Sequence, residues 1–396
     1  MSAGNFTFDL TMPKRSCVVG DPVITVNVDP KLFSLLNSPS AAPIFQSWEI
    51  TLKIFFYVVA FLLDVVGNSI VILIIGLNRK MRTTTNLLIL NLAVSDLLVG
   101  IFCMWVHVGN QITSEWPFGE FVCKFNTFVQ VVVVTSSVLT LTVISVERFL
   151  AIVFPLKARW SPFHTAIIVT AIWFVSASVA CPQLVVRSVF EYQWKDRNEV
   201  FCDEVWPRVY QDSACNTFQP TKLAYYIMGG VVMYFVPIVV MVTAYTIITV
   251  KLIRRRVPGS SISGTTNARD RTKRKVIRML VAVLSVFVLC WTPQQVLLLW
   301  DTFSSSEKNA KYMSTVKYVA LYVAYLNSAL NPILYCGFND NFRKGFSVAL
   351  RRVCKSNRIA PDDTIDGPTR TIQPVNNNIS RHLEPRRDVF ITNNVS

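Results

Sequence analysis

The chain has 396 residues, of which 52% are hydrophobic and only 16% charged, with a mean hydropathy of +0.41. A soluble protein carries nearer a quarter of its residues as charges, so a soluble globular domain is excluded and a membrane protein is expected. The formal net charge is +15, but Lys and Arg lie mostly between and after long apolar runs, the pattern of a positive cytoplasmic face and not of a nucleic-acid-binding surface.

In chain order, the opening MSAGNFTFDL lacks the basic start and apolar core of a secretory signal, so the first apolar run is expected to serve as its own insertion signal. Asn5-Phe6-Thr7 is a glycosylation sequon. Seven runs are long enough to span a bilayer, near 51–77, 86–108, 119–153, 165–186, 223–253, 276–300 and 312–336. Arg79, Lys80 and Arg82 follow the first run, and Lys157 and Arg159 the third. Arg254, Arg255, Arg256, Arg271, Lys273, Arg274 and Lys275 lie between the fifth and sixth, while Arg343, Lys344, Arg351 and Arg352 follow the seventh. These loops share one side, which the positive-inside tendency makes cytoplasmic. The N-terminus is then outside, with Asn5 open to glycosylation, and the C-terminus inside, where the sequons at Asn378 and Asn394 stay unmodified.

The third run, Phe121 to Pro155, is broken by Cys123, Gln130, Ser137 and Arg148. Their spacings are whole helical turns to within roughly 20° each, so all four share one face of a helix that rises about 38 Å from Cys123 to Arg148. A polar stripe of that kind cannot face lipid. It implies a bundle of helices around a cavity.

The loop at 257–268 is polar and reads as irregular. Beyond the seventh run, Phe338, Phe342, Phe346, Leu350 and Val353 recur every three or four residues opposite Arg and Lys, as in a helix lying in the membrane interface. Cys354 at its end is a candidate palmitoyl anchor, and the tail beyond is polar and expected to be disordered. The predicted organisation is all-α: an extracellular segment over 1–47, a seven-helix transmembrane bundle over 48–337, a short amphipathic eighth helix over 338–354 and a cytoplasmic tail over 355–396. Cys17, Cys123, Cys202 and Cys215 fall on the oxidising side, whereas Cys103, Cys181, Cys290 and Cys336 lie in apolar runs.

Each run carries an anchor: Gly67-Asn68, Leu92-Ala93-Val94-Ser95-Asp96, Glu147-Arg148-Phe149, Trp173, Pro237 with Tyr245, Cys290-Trp291-Thr292-Pro293, and Asn327 through Tyr335, NSALNPILY. In this order and at these depths, the set resembles the rhodopsin-family (class A) G-protein-coupled receptors over roughly 48–354. The resemblance implies a plasma-membrane receptor and no enzyme. It implies a disulfide between Cys123 and Cys202 that pins the second outer loop. Cys17 and Cys215 are then left over, either as a second bridge or as two free thiols. It implies a sodium ion held by Asp96, Ser137, Asn327 and Asn331, with a protonated, hydrogen-bonded Asp96 as the alternative. Glu147 and Arg148 stand for the family's switch, with Glu in place of the commoner Asp and Phe149 in place of Tyr. Arg148 is expected to move towards Tyr245 and Tyr335 when the sixth helix swings out. Pro293 kinks that helix, with Trp291 just beneath the cavity, Pro332 loosens the seventh, and Phe287, Val138 and Pro237 form a packing cluster between cavity and cytoplasm. Asp64 matches no family anchor; it is either neutral and bonded to the seventh helix or part of an ion or water network.

Where amine receptors of the family carry Asp, this chain has Gln130. With Gln294 and Gln295 it offers neutral amide groups, joined by His107 and Tyr325 and by Val131, Val134, Trp291, Leu298 and Leu321 as apolar walls. Such a lining suits a peptide backbone or an amidated C-terminus. The second outer loop, about 187–222, is long and of mixed charge. Together with the Trp116-Pro117-Phe118-Gly119 run and the ERF triplet, these features resemble neuropeptide receptors of the neuropeptide FF, orexin, QRFP, neuropeptide Y or trissin type. The RF-amide type holds an acid near the outer end of the sixth helix to meet ligand Arg; here Asp301 lies one position nearer Trp291 and Thr302 takes that place. The expected partners are an extracellular peptide, a heterotrimeric G protein bordered by Lys273 to Arg278, arrestin and receptor kinases at the tail, and membrane lipid. The rival readings are a receptor for a small non-peptide ligand and, more remotely, an ion-coupled transporter, against which stands the lack of an inverted repeat. HExxH and GxSxG are absent.

Overall fold

The computed structural model describes Ser38 and residues 46–154, 160–210, 217–254, 264–303, 310–340 and 342–348. Among the described residues, seven helices are long and apolar enough to cross a membrane: α1 (Ser47–Leu77), α2 (Thr84–Ile112), α3 (Gly119–Val153), α4 (Pro162–Val186), α5 (Pro220–Arg254), α6 (Gly264–Phe303) and α7 (Ala310–Phe338). The protein is a multi-pass membrane protein. A short α8 covers 342–348. The outer loop between α4 and α5 adds what the runs alone could not show: strands β1 (Arg187–Gln193) and β2 (Asn198–Glu204) pair antiparallel from Arg187↔Glu204 to Gln193↔Asn198, and β3 (Val209–Tyr210) pairs with β4 (Thr217–Phe218).

Local chemistry starts these helices. Thr83 accepts a hydrogen bond from Asn86 N at the head of α2, and Ser161 does the same from His164 N at the head of α4, where Pro162 has no amide hydrogen to leave unpaired. Gly119 turns the chain into α3 with φ 71°, a backbone state that costs other residues a clash at Cβ. α2 and α5 are wound more loosely over Val99–Met104 and Met228–Phe235, each a π-helical turn.

The burial pattern of α1 shows how the membrane sorts side chains. Tyr57, Ala60, Asp64, Asn68, Val71 and Ile75 are buried at three- and four-residue spacing, while Phe55, Phe56, Leu62, Leu63 and Val66 are exposed. The outward residues face lipid, so the inward stripe is free to carry polar groups. Buried polar pairs then tie the bundle together. Asn91 of α2 donates to Thr140 Oγ1 of α3 at 2.8 Å and accepts from Trp173 Nε1 of α4 at 2.8 Å, joining three helices at one side chain. Ser95 and Ser136 hydroxyls meet at 3.0 Å. Asn68 Nδ2 reaches the Ser328 carbonyl of α7 at 3.2 Å. On α8, Phe342 is fully buried and ring-packed on Tyr335, whereas Arg343 and Lys344 are exposed, in keeping with the amphipathic pattern; Leu350, Val353 and Cys354 lie outside the described residues.

Asp64 is fully buried. Its Oδ1 accepts from Asn68 Nδ2, one turn along the same helix, at 2.8 Å. The expected bond from Asp64 to the seventh helix is therefore not made by the carboxylate; Asn68 makes it instead. The other oxygen, Oδ2, fills the space a side chain would take at Gly100 in the π-turn of α2: a Cβ there would overlap it. Gly100→Ala must push out a buried carboxylate, and we expect a loss of about 1–3 kcal/mol, as for overpacked cores. Thermal unfolding of purified protein checks this. Asp64→Ala clears the space, so the double variant should be no less stable than Asp64→Ala alone; additive losses would show that the two residues do not share the site.

Candidate functional site

At the outer end, Cys123 of α3 and Cys202 of β2 form a disulfide. The hairpin is fastened beside it: Trp116 N donates to the Val200 carbonyl at 2.7 Å, and Trp116, Val106 and Cys123 pack with Val189, Val200 and Cys202. Cys17, Cys215 and Asn5 lie outside the described residues. Ser38 meets the far end of the hairpin, its amide donating to Asp196 Oδ1 and its hydroxyl to Glu199 Oε1, both at 2.7 Å.

Below the hairpin is a cavity of about 380 Å³ walled by α2 to α7. It brings together His107, Gln130, Val131, Val134, Trp291, Gln294, Gln295, Leu298, Leu321 and Tyr325, all singled out from the sequence. It also draws on residues the sequence reading did not reach: the amides Asn110, Asn126 and Gln183, the rings Tyr225 and Tyr226, and Arg187 at the start of β1. The walls are mostly aliphatic and aromatic, and carboxamides are the commonest polar groups set among them. Asn126 Oδ1, Gln294 Oε1 and Gln295 Oε1 are buried with no hydrogen-bond partner among the described residues. His107 lies among aromatic rings, stacked on Tyr318 with centroids 5.6 Å apart and edge-on to Tyr325 at 5.8 Å.

Charged groups cluster at the rim. Glu204 accepts from Tyr226 Oη at 2.5 Å and from Lys222 Nζ at 2.8 Å, with Arg187 Nη2 at 3.7 Å. Burial acts to raise the Glu204 carboxyl, but Arg187 and Lys222 beside it, with the Lys222 and Tyr226 hydrogen bonds, hold it below the ordinary carboxylate value. Asp301 of α6 pairs with Lys317 of α7 at 2.6 Å.

Beneath the cavity floor, Trp291 and Phe287 of α6 pack with ring centroids 6.4 Å apart in a core that includes Val138, and Pro237 is buried on α5. Tyr234 of α5 meets Thr292 Oγ1 at 2.8 Å. Near mid-membrane, Asp96 Oδ2 accepts from Asn331 Nδ2 at 2.7 Å. Asp96 Oδ1, Asn327 Oδ1 and Asn331 Oδ1 are buried acceptors without a donor among the described residues, and Ser137 is buried on the adjoining face of α3. Pro332 lies inside α7 next to Asn331.

At the inner rim Arg148 is held by its neighbour Glu147, Nε to Oε2 at 2.5 Å and Nη2 to Oε1 at 2.7 Å, and Nη2 also bonds the Thr85 hydroxyl. Glu147 accepts in turn from Thr84 and Thr85 at 3.2 and 3.1 Å. The arginine is thereby fastened to α2, a partner that the sequence motif did not point to. Tyr245 and Tyr335, its expected later partners, are buried on α5 and α7. A second cavity of about 620 Å³ opens at the inner ends of α5, α6 and α7, lined by Leu252, Ile253, Arg274, Arg278 and Phe338 among others.

This arrangement, a roofed polar cavity joined by a packed core to a restrained arginine and an inner groove, agrees with what sequence comparison finds. The profile of the 7 transmembrane receptor (rhodopsin family) matches residues 67–335. The QRFP-like peptide receptor of Branchiostoma floridae is 32% identical over 94% of this chain and 95% of its own length. The neuropeptide FF receptor 1 of Rattus norvegicus is 36% identical over 74% of this chain and 69% of its own, and the substance-P receptor of Canis lupus familiaris 30% identical over 82% and 78%. By its helices, its interior constellation and these matches, the chain belongs to the rhodopsin family of seven-transmembrane receptors.

Proposed function

We propose that this receptor binds an extracellular neuropeptide in the α2–α7 cavity and activates a heterotrimeric G protein through outward movement of α6. The observation that carries the reading is the lining of carboxamides with buried, undonated oxygens at Asn126, Gln294 and Gln295. A buried acceptor left without a donor costs about 1–3 kcal/mol. Peptide N–H groups and a C-terminal carboxamide supply the missing donors. No carboxylate lines the cavity among the described residues, which disfavours a protonated amine ligand. The peptide receptors among the relatives support the same class.

The N-terminus and hairpin face outwards and the basic loops inwards, so the groove between α5, α6 and α7 borders the G protein, with Arg274 and Arg278 on its wall. Arrestin and receptor kinases act on the cytoplasmic tail, Asn5 carries glycan and Cys354 a lipid anchor. For a ligand to drive the transition it need only bind the active form more tightly; a hundredfold preference supplies about 2.7 kcal/mol. Asp96 with Asn327, Asn331 and Ser137 fits a sodium ion, since an all-oxygen set with three buried acceptors lacking donors suits a hard monovalent cation. Such an ion favours the inactive state.

Cells expressing the receptor, screened against amidated peptide pools with calcium and cyclic-AMP readouts, test the central reading; a response confined to small non-peptide compounds would sink it. For an active pool, Gln130→Leu should cost about tenfold or more in potency at unchanged surface level, the loss of one or two buried hydrogen bonds. Thr85→Val removes the tie of Arg148 to α2 and one of the two ties of Glu147, leaving that from Thr84. We expect ligand-free signalling to rise about fivefold, as for roughly 1 kcal/mol of lost restraint, measured as basal nucleotide exchange on G protein. For sodium, the purified receptor should melt at a higher temperature in NaCl than in choline chloride, and Asp96→Asn should abolish that difference; a shift that survives the substitution places the ion elsewhere.

A further inference from the structure

Resting on the peptide reading above, we propose that the ligand carries a carboxylate which docks on Arg187 at the rim of the cavity. Arg187 is the one charged side chain, histidine aside, that lines the cavity among the described residues. Its Nε donates to Gln183 Oε1 at 3.3 Å, which uses one of five N–H donors. Its nominal counter-ion, Glu204, lies at 3.7 Å, beyond hydrogen-bond length, because the short contacts of that carboxylate go to Lys222 and Tyr226. Two cations thus share one anion, and the cluster of Arg187, Lys222 and Glu204 carries a net charge of +1, with Arg187 its member on the cavity wall.

Among the described residues, the acids nearest the mouth are engaged or turned away, and Glu191, exposed further out on β1, does not line the cavity. Asp301, the acid nearest the place where RF-amide-type receptors hold theirs, is paired with Lys317 at 2.6 Å. Glu199 is bound to Arg197 at 2.5 Å and to Ser38. Asp203, opposite Ser188, stands on the strand face away from Cys202 and does not line the cavity. A ligand arginine placed among the amides would be a buried cation without a partner, whereas a carboxylate meets a planar guanidinium that can hold it with two parallel bonds.

The test uses synthetic amidated peptide pools identical except that one variable position holds Glu, Gln or Arg, with a fourth pool bearing Gln and a free C-terminal carboxylate. Calcium and cyclic-AMP responses are read in cells whose receptor surface level is measured with an antibody to an N-terminal epitope tag. Activity should concentrate in the Glu pool, or in the free-carboxylate pool if the chain end supplies the charge. Against the active pool, Arg187→Gln should lose about tenfold or more in potency, Arg187→Lys should lose less because it keeps the charge but not the paired bonds, and Glu204→Gln should gain a few-fold by freeing positive charge. Should Arg187→Gln fail to reach the surface, the opposite shift of Glu204→Gln still decides. A response to the Arg pool or the neutral amidated pool, or equal losses for charged and neutral peptides in Arg187→Gln, overturns the carboxylate anchor and leaves the peptide reading standing. Silence of all four pools at full surface expression overturns both.

Discussion

A bilayer offers no water to a stranded polar group, and the interior of this protein follows from that single restriction. Lipid-facing positions are left to apolar residues and to hydroxyls bonded to their own helix, so the other polar side chains gather in the interior. On α3 the partners are spaced along the whole thickness of the membrane: the disulfide at Cys123, the cavity at Gln130, the Asp96 region at Ser137 and the Glu147–Arg148 pair at the inner rim. The cavity exists because the polar stripe does, and the route from the cavity to the Glu147–Arg148 end of the bundle runs along the same face.

The ties are not of equal strength. α2, α3 and α4 are joined by buried hydrogen bonds that converge on Asn91, with a second contact between Ser95 and Ser136. By contrast, the polar ties of α6 among the described residues are the partly buried Tyr234–Thr292 contact, the reach of the Tyr234 hydroxyl to the Val288 carbonyl, and two exposed ion pairs, Asp301–Lys317 outside and Lys275–Asp340 inside. Exposed pairs contribute about 0–1 kcal/mol, and apolar packing re-forms in more than one register. Pro293 further removes a backbone hydrogen bond from the same helix. A rigid half and a weakly held, kinked helix are what a two-position switch needs, and the ligand cavity touches both through Gln130 and Trp291.

Seven spans, the inward face of α3 and the ten cavity residues were legible in the sequence, because each follows from a period, a length or a motif at a fixed depth. Pairings between helices were not. Asp64 shows why: its place one turn from Asn68 is readable, but its oxygen seats against Gly100 only because α2 winds loosely over Val99–Met104, and no pattern of residue types marks that turn. Thr85 as the brace of Arg148, Asn91 as a three-helix junction and the register of the hairpin are likewise facts about which neighbour arrives where. Arg187 looked like one more charge in a loop of mixed sign. Its meaning depends on Glu204 being claimed by Lys222 and Tyr226, a competition decided by distances and not by composition.

The same division bears on how far the relatives can speak for this receptor. The anchors that mark the family lie at mid-membrane and below, where Asp96, Arg148, Trp291 and Asn331 meet other parts of the same bundle, so any member must solve the same interior problem. The rim is answerable only to the ligand. There this chain places Arg187 over neutral amides and closes Asp301 with Lys317. A sequence that shares a third of its residues with a peptide receptor therefore inherits the transmission route with more certainty than the ligand. The sign of the charge at the mouth belongs to this protein's own geometry, since two lysines and one arginine at the outer ends decide which acids are left open to receive anything from outside.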